Sequence, residues 1–201
     1  MTNRKYSPID WLQWLWWVLA TAIGSAIGWA ALPLVLPSIN AIANVDEDQL
    51  FGILIAPLLG LVIGGSQWLV LRRHVPQAGW WVAASVIGYV AVLILASLST
   101  NLRLTANEGI ADDVVLTVVL GSVVGVPQYL VLRKRFPKAG WWILASGIGM
   151  LSYLLGGAIP AHNLMELVRL GITIGALSGA ATGIAWVWLL QSARAIGAVK
   201  I

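Results

Sequence analysis

Two stretches of this sequence are near copies: residues 60–88 read GLVIGGSQWLVLRRHVPQAGWWVAASVIG, and residues 121–149 read GSVVGVPQYLVLRKRFPKAGWWILASGIG. At an offset of 61 they are identical at 17 of 29 positions. Each copy has an uncharged run ending in Leu-Val-Leu-Arg, a short basic connection, and Gly-Trp-Trp at the start of a second uncharged run. The sequence therefore contains an internal repeat, and its unit pairs two apolar segments.

Parts of the same unit recur near both ends of the chain. Residues 16–24 match residues 80–88 at an offset of 64. Residues 183–190 resemble the Gln-Trp-Leu-Val-Leu-Arg half more weakly, with Trp186 in the place of Trp68 and Ala185 in the place of Gln67. The pattern predicts three helical hairpins, which are residues 11–73, 79–135 and 140–192.

The composition excludes several classes of protein. Of 201 residues, 59% are hydrophobic and 10% are charged, whereas a soluble domain carries about 25% charge. So little polar surface cannot coat a globule in water. The absence of cysteine excludes a disulfide scaffold, and 20 charges in all are too few for a basic nucleic-acid groove, so no nucleic acid is expected as a partner.

The charged residues divide the chain into six uncharged stretches of 19 or more residues. About 20 apolar residues cross the hydrocarbon core of a bilayer as a helix. The sequence predicts an all-α integral membrane protein, a single domain over residues 1–201. Its three hairpins enter the membrane in the same direction, as parallel repeats about a pseudo-threefold axis. The predicted spans are residues 11–36, 50–71, 80–98, 114–132, 141–159 and 164–190.

Basic residues collect on one side of these six spans, which we call the inner side. It carries ten basic residues and one acid, Asp10, for a net charge of +9. The outer loops carry seven acids and two basic residues, Arg103 and Arg169, for a net charge of −5. The positive-inside rule then predicts that the inner side and both termini are cytoplasmic. The ten inner cations are Arg4, Lys5, Arg72, Arg73, Arg133, Lys134, Arg135, Lys138, Arg194 and Lys200.

Glycines recur at four-residue spacing in four of the predicted helices. In lipid, close approach of helix backbones through small residues takes over from the hydrophobic effect. We therefore predict that these glycines form helix-packing seams rather than lipid-facing surface. They are Gly24 with Gly28, Gly60 with Gly64, Gly121 with Gly125, and the series Gly171, Gly175, Gly179 and Gly183.

Paired tryptophans begin three of the predicted helices, next to the basic connections. An indole at a membrane interface keeps its ring among acyl chains and its N–H among headgroups. We interpret the pairs as interface aromatics; a pigment, quinone or lipid site is the alternative. The residues are Trp16, Trp17, Trp80, Trp81, Trp141 and Trp142.

Gln67 and Gln128 occupy equivalent positions inside the returning helices. A buried amide needs partners for its donors and its acceptor, so we predict hydrogen bonds between helices. The alternative is a polar ring that contacts a permeating solute, which Ala185 in the third unit would interrupt. Ionisable groups deep in the spans, which pumps and ion carriers use, are missing, so active transport is not expected.

The outer acidic residues invite a test for catalysis. Asp112 and Asp113 open the fourth span, and His162 and Glu166 lie four residues apart at the start of the sixth, on one helix face. Carboxylates at a helix N-terminus are also favoured by capping and by the helix dipole, which is the simpler interpretation. Ser178 has no deep histidine to activate it. No catalytic residue or metal site is predicted, and no cofactor can be named.

The blocks Gln-Trp-Leu-Val-Leu-Arg and Ala-Gly-Trp-Trp resemble those of a functionally uncharacterised group of small multi-pass bacterial membrane proteins, frequent in photosynthetic lineages. The resemblance covers two of the three repeats. It implies a bacterial inner membrane or a photosynthetic membrane, and it carries over no functional residues.

These observations favour a non-enzymatic membrane protein. The first hypothesis is an interaction, assembly or accessory subunit of a larger complex, with a membrane protein or a second copy of this chain as partner. The alternative is a channel or facilitator for a small or apolar solute along the pseudo-threefold axis. The third is a pigment, quinone or lipid binder.

Overall fold

Helices account for almost all of the computed structural model, which describes residues 10–43, 47–101, 109–156, 159 and 161–195. No strand occurs in these ranges, so the all-α prediction is confirmed. The helices, in chain order, are α1 (Trp11–Ala43), α2 (Glu47–Leu71), α3 (Trp80–Asn101), α4 (Ile110–Leu132), α5 (Trp141–Met150), α6 (Ser152–Gly156) and α7 (Leu164–Ala195).

Five helices, α1, α2, α3, α4 and α7, are long and apolar enough to cross a membrane. The sequences of α1, α2, α3 and α4 have few charges and lack a polar stripe, which is the composition of a helix whose surroundings are apolar on all sides. Three of them contain prolines, which a transmembrane helix tolerates where neighbouring groups compensate the freed carbonyls.

The predicted span over residues 141–159 is shorter and less regular than expected: the apolar helical segment is Trp141–Gly156, with a turn at Leu151. α5 ends at Met150, and Leu151 forms a turn before the five residues of α6. The N–H of Leu151 donates to the carbonyl of Ile148 at 3.1 Å, which is a tighter, 3₁₀-type bond. Gly147 and Gly149 precede the break, and glycine is the least favourable residue after proline inside a helix.

The six longer helices pack in a closed ring that follows the chain. α1 contacts α2, α2 contacts α3, α3 contacts α4, α4 contacts α5, α5 contacts α7, and α7 contacts α1. The short α6 lies against α7. At the inner end, the N-terminus of α1 and the C-terminus of α7 are joined by an ion pair of 3.7 Å between Asp10 and Arg194.

The repeated glycines lie where α2 meets α3 and where α4 meets α5. A Cβ atom added at Gly60 would lie 2.7 Å from Val86 Cα, and one at Gly121 would lie 2.8 Å from Gly147 Cα. Gly64 and Gly125, one turn later, have equally close neighbours on α3 and α5. Only glycine allows these backbones to approach so closely.

The glycine series of α7 lies against α1. Added Cβ atoms would be 2.6 Å from Ala26 Cα at Gly171 and 2.7 Å from Ala22 Cα at Gly175. At Gly179 the nearest atom is Thr21 Cβ, and at Gly183 it belongs to Trp14. All four glycines therefore serve contacts within the chain.

Candidate functional site

The two tryptophans of each pair have opposite surroundings. The first of each pair is exposed: Trp16 by 51%, Trp80 by 69% and Trp141 by 59%. The second of each pair, Trp17, Trp81 and Trp142, is buried. The interpretation as interface aromatics is therefore wrong for the second tryptophan. Adjacent residues of a helix differ by about 100° around its axis, so only one of two neighbours can face outward.

The buried tryptophans meet one another on the axis of the ring. Trp17, Trp81 and Trp142 have ring centroids 5.3 to 6.0 Å apart in edge-to-face pairs. Trp186 from α7 stacks on Trp17 at 5.6 Å, and Phe136 packs edge-on against Trp186. These rings have at most 1% of their surface exposed. Together they fill the inner end of the axis, and we call Trp17, Trp81, Trp142 and Trp186 the indole cluster.

Gln67 on α2 links α1, α2 and α3 next to the indole cluster. Its Oε1 accepts a hydrogen bond from Nε1 of Trp81 on α3 at 3.0 Å, and its Nε2 donates to Oγ1 of Thr21 on α1 at 3.2 Å. The predicted bond between helices is thus present, and it satisfies the acceptor and one donor of a buried amide.

Gln128 repeats this arrangement one unit later. Its Oε1 accepts from Nε1 of Trp142 on α5 at 2.9 Å, and its Nε2 donates to Oγ of Ser85 on α3 at 3.0 Å. Gln128 is therefore a bridge between α3, α4 and α5.

Thr182 completes the set where the sequence alignment places Ala185. Nε1 of Trp17 donates to Oγ1 of Thr182 at 2.9 Å, and Thr182 in turn donates to the carbonyl of Ser178 at 2.7 Å. Ala185 lines a groove on the outside of the bundle instead. The expected interruption at Ala185 is therefore wrong. Thr182, which has a shorter side chain than glutamine and lies one turn before Ala185 on α7, accepts the hydrogen bond from the indole N–H of Trp17.

Sequence reasoning missed the hydroxyl groups of this network. Thr21, Ser85 and Ser146 lie four residues after the second tryptophan in each unit, at the same offsets of 64 and 61 as the tryptophans. Thr21 and Ser146 donate to the carbonyls of Trp17 and Trp142 at 2.9 Å. Their recurrence in the repeat was the available signal.

A small cavity of about 60 Å³ lies on the axis beside this network. Residues from all seven helices line it, including both glutamines, Thr182 and two tyrosines, Tyr89 and Tyr153. This polar space is large enough for a few water molecules and too small for a lipid or a pigment. The indole cluster closes the axis next to it, so the described residues enclose no continuous path.

The outer acidic residues lie at helix starts. Asp112 and Asp113 are in the first turn of α4. The N–H of Glu166 donates to Oδ1 of Asn163 at 3.0 Å, and the Glu166 carboxylate accepts from the N–H of His162 at 2.7 Å. Asn163 immediately precedes α7 and caps its N-terminus; the second bond is similar to the return bond of a capping box but comes from the residue before the N-cap. In the part of the chain that the structure describes, no group of three or more His, Cys, Asp or Glu could hold a metal ion.

The outside of the bundle carries three grooves on its inner half. The first groove lies between α1 and α2 and has a volume of about 460 Å³. The second lies between α3 and α4, with about 320 Å³, and the third between α5 and α7, with about 540 Å³. An exposed tryptophan stands at each: Trp16, Trp80 and Trp141.

The walls of the grooves are built from matching positions. One wall is Leu19, Ala20 and Ile23 in the first groove, and Leu144, Ala145 and Ile148 in the third. The corresponding wall of the second groove is Ala83, Ala84 and Ile87. The opposite walls are also mainly apolar; they contain Leu69 and Val70, Leu130 and Val131, and Ile184 and Ala185.

The inner ends of the grooves differ in charge. Arg72 and Arg73 line the first groove, and Arg133 and Lys134 line the second. The third groove ends at Trp188, and the pocket that continues it at the inner end, which shares Trp141 and Trp188, is lined by a single cation, Lys138.

His74 lies in the connection between α2 and α3, with its ring edge-on to Trp186 at 5.7 Å. Burial lowers the pKa of His74 below its ordinary value, and the contact between its Nδ1 and the carbonyl of Val70 opposes this in part. The neutral imidazole is the form that suits its position against the indole cluster.

The hydrogen bonds of Gln128 predict a measurable coupling energy between Gln128 and Trp142. Gln128→Met removes the acceptor of Trp142 Nε1 and the donor to Ser85. We expect a loss of about 1–2 kcal/mol in the free energy of unfolding, because a buried indole N–H is left without a partner. The double variant Gln128→Met/Trp142→Phe should lose less than the sum of the single losses, measured by unfolding in mixed micelles. Strict additivity would contradict the bond.

Comparisons with known proteins add no family assignment: no family model, no curated protein and no solved structure matches this chain. The interpretation of its function therefore depends on the geometry described above.

Proposed function

We propose that this chain is a multi-pass membrane protein with its inner side and both termini in the cytoplasm. Large apolar side chains are exposed along its helices, for example Leu61 by 54%, Val115 by 62% and Ile184 by 66%. In water such a surface would cause association. The basic connections at residues 72–79 and 133–140 lie together at the inner end, which supports the orientation.

In this orientation α5 and α6 form the shortest crossing. Residues 141–156 extend over about 24 Å as a helix, less than the roughly 30 Å of a hydrocarbon core. α6 lies against α7. The fifth segment would thus begin at the inner interface and end inside the bundle's outer half, with protein around its broken turn, as a membrane requires.

We infer that the third repeat unit is related to the second by an offset of 54 between α4 and α7. Gly121 and Gly125 approach α5 as Gly175 and Gly179 approach α1. This offset pairs Gln128 with Thr182. It also pairs three buried residues at and after the end of α4 with three near the end of α7: Leu132 with Trp186, Phe136 with Leu190, and Ala139 with Ala193. These matched contacts support a pseudo-threefold arrangement of hairpins.

We propose that the protein binds membrane lipids in its lateral grooves. The observation that carries this proposal is the set of three grooves with matching apolar walls, each open at the helix surface beside an exposed tryptophan. Volumes of about 320 to 540 Å³ are in the range of ligand sites and suit part of an acyl chain. A tryptophan at the mouth of each groove suits the boundary between acyl chains and headgroups.

The other two hypotheses have less support. The glycine seams that suggested an accessory subunit are occupied within the chain, which leaves the exposed helix faces as its basis. A channel along the axis would have to displace the indole cluster, whose four members are buried. An accessory role remains compatible with lipid binding.

Groove-filling variants test the proposal. Ala20→Phe in the first groove and Ala145→Phe in the third place a ring where an acyl chain would lie. We expect each variant to retain about one lipid fewer than the parent in native mass spectrometry from mild detergent. The matched control is Ile172→Phe, at an exposed position of α7 outside the grooves.

Two results would contradict lipid binding in the grooves. One is a parent protein that retains no lipid, and the other is equal retention by the groove variants and the Ile172→Phe control. Thermal unfolding of each variant verifies that the ring of helices is intact.

A further inference from the structure

We propose that the first and second grooves, with two cations each, select phospholipids with an anionic headgroup more strongly than the third groove, which has one. This inference rests on the proposed lipid binding and adds the headgroup class and the number of selective sites. It follows from the charge at the inner end of each groove.

Two cations stand side by side at the inner end of both selective grooves. Arg72 and Arg73 are exposed and line the first groove, and Arg133 and Lys134 are exposed and line the second. Asp10 and Arg194 form the only ion pair within the described ranges, so no described carboxylate neutralises these four side chains. Each groove therefore presents a charge of +2 to a ligand.

The side chain of Arg72 is positioned by its neighbour. Its guanidinium carbon lies 5.2 Å from the centroid of the Trp68 ring. Such a contact leaves the guanidinium N–H groups free to donate. Arginine offers these donors in a planar fork that matches phosphate oxygens.

An uncharged polar group also lines each of these grooves. Gln13 is present in the first groove and Gln77 in the second. Amide donors of this kind suit the phosphate and glycerol oxygens of a headgroup. A zwitterionic headgroup brings its own cation toward the basic pair, whereas an anionic headgroup brings none, so charge complementarity favours the anionic lipid.

The third groove provides an internal comparison. Trp188 stands at its inner end, at the position that matches Lys134 at an offset of 54. The nearest cation, Lys138, has its Nζ 5.1 Å from the centroid of the Trp188 ring. The third groove therefore has one cation at its inner end, where the first and second grooves each have an adjacent pair. An acyl chain can bind there, and headgroup charge has a smaller influence than in the other two grooves.

The test compares phosphatidylglycerol with phosphatidylcholine of the same acyl chains, added to delipidated protein and counted by native mass spectrometry. We expect two phosphatidylglycerol molecules to bind more tightly than any phosphatidylcholine. Arg72→Gln/Arg73→Gln and Arg133→Gln/Lys134→Gln should each abolish one tight site. The expected loss of affinity is about 25-fold at that site, from about fivefold for each of the two basic residues.

The matched control keeps the charge and changes the side chains. Arg133→Lys/Lys134→Arg should retain both tight sites. Arg169→Gln removes an exposed cation from the opposite end of the bundle and should also retain both. Raised ionic strength should weaken phosphatidylglycerol binding toward the level of phosphatidylcholine.

The outcomes separate this inference from the proposed function. Equal binding of both lipids, or two tight sites surviving in the glutamine variants, would overturn the anionic preference and leave lipid binding in place. Failure of either lipid to bind would overturn the lipid-binding proposal as well. A circular dichroism spectrum and a melting temperature like the parent's show that a glutamine variant lost charge and not its fold.

Discussion

Gly175→Leu is expected to stop α7 from packing on α1. A Cβ atom at this position would lie 2.7 Å from both Ala22 Cα and the carbonyl oxygen of Thr21. These are backbone atoms, so the helices must separate to admit any side chain. Overpacking of a flexible core costs about 1–3 kcal/mol, and a rigid seam between two backbones costs more. We expect the variant to lose its monodisperse size-exclusion peak after detergent extraction.

The matched control for this variant is Gly65→Leu. Gly65 also lies in a long helix, but a Cβ atom there would meet no heavy atom within 4 Å. The control should elute and melt like the parent protein. A Gly175→Leu protein that purifies and melts like the control would show that α1 and α7 do not meet through this seam.

Trp17→Ala is expected to give the largest loss of stability among the aromatic substitutions. The Trp17 ring contacts the three other members of the indole cluster and donates a hydrogen bond to Thr182. Removal leaves a cavity where the axis is closed. Truncation of a buried tryptophan costs about 3–5 kcal/mol, which should be seen in the free energy of unfolding in mixed micelles.

Trp16→Ala provides the comparison one residue away. Trp16 is half exposed and lines the first groove, so its removal should change stability by about 0.5 kcal/mol or less. Its effect should appear in lipid retention at the first groove. Equal losses of stability in the two variants would contradict the inside-outside division of the tryptophan pair.

The sequence was sufficient for the elements of the fold. Long uncharged stretches predicted the helices, and five of the six predicted spans agree with the structure except at their ends. The fourth-residue glycine spacing predicted packing seams, and α7 and α1 approach through those glycines. Periodicity and composition are local properties, so they can be read without knowledge of the neighbours.

The break at Leu151 was not predicted because hydropathy is insensitive to it. Residues 141–159 are uncharged throughout, and two glycines in a membrane segment are common. The turn forms where α5 and α6 pack against α7. A contact between distant segments therefore determines where this helix ends.

The candidate site was also predictable only in part: the sequence identifies the glutamines but not their hydrogen-bond partners. Gln67 and Gln128 were recognised because a buried amide in an apolar segment is costly without partners. Their partners Trp81, Thr21, Trp142 and Ser85 lie up to 46 residues away in the chain. Thr182 was missed because sequence similarity aligned Trp186 with Trp68. The backbone contacts of the glycines instead give an offset of 54, which pairs Thr182 with Gln128.

The lengths of the helices, the positions of the charges and the internal repeat can thus be recognised in the amino-acid sequence alone, because none of them depends on how the helices pack. The rotation of each helix about its own axis is different, since it is set by the neighbouring helices of the ring and by the side chains that meet on the axis. That rotation buries Trp17 and exposes Trp16, brings the hydroxyl groups to the glutamines, and opens the grooves at the helix pairs. Packing in the ring, rather than any local pattern, created the surface on which lipid binding is proposed.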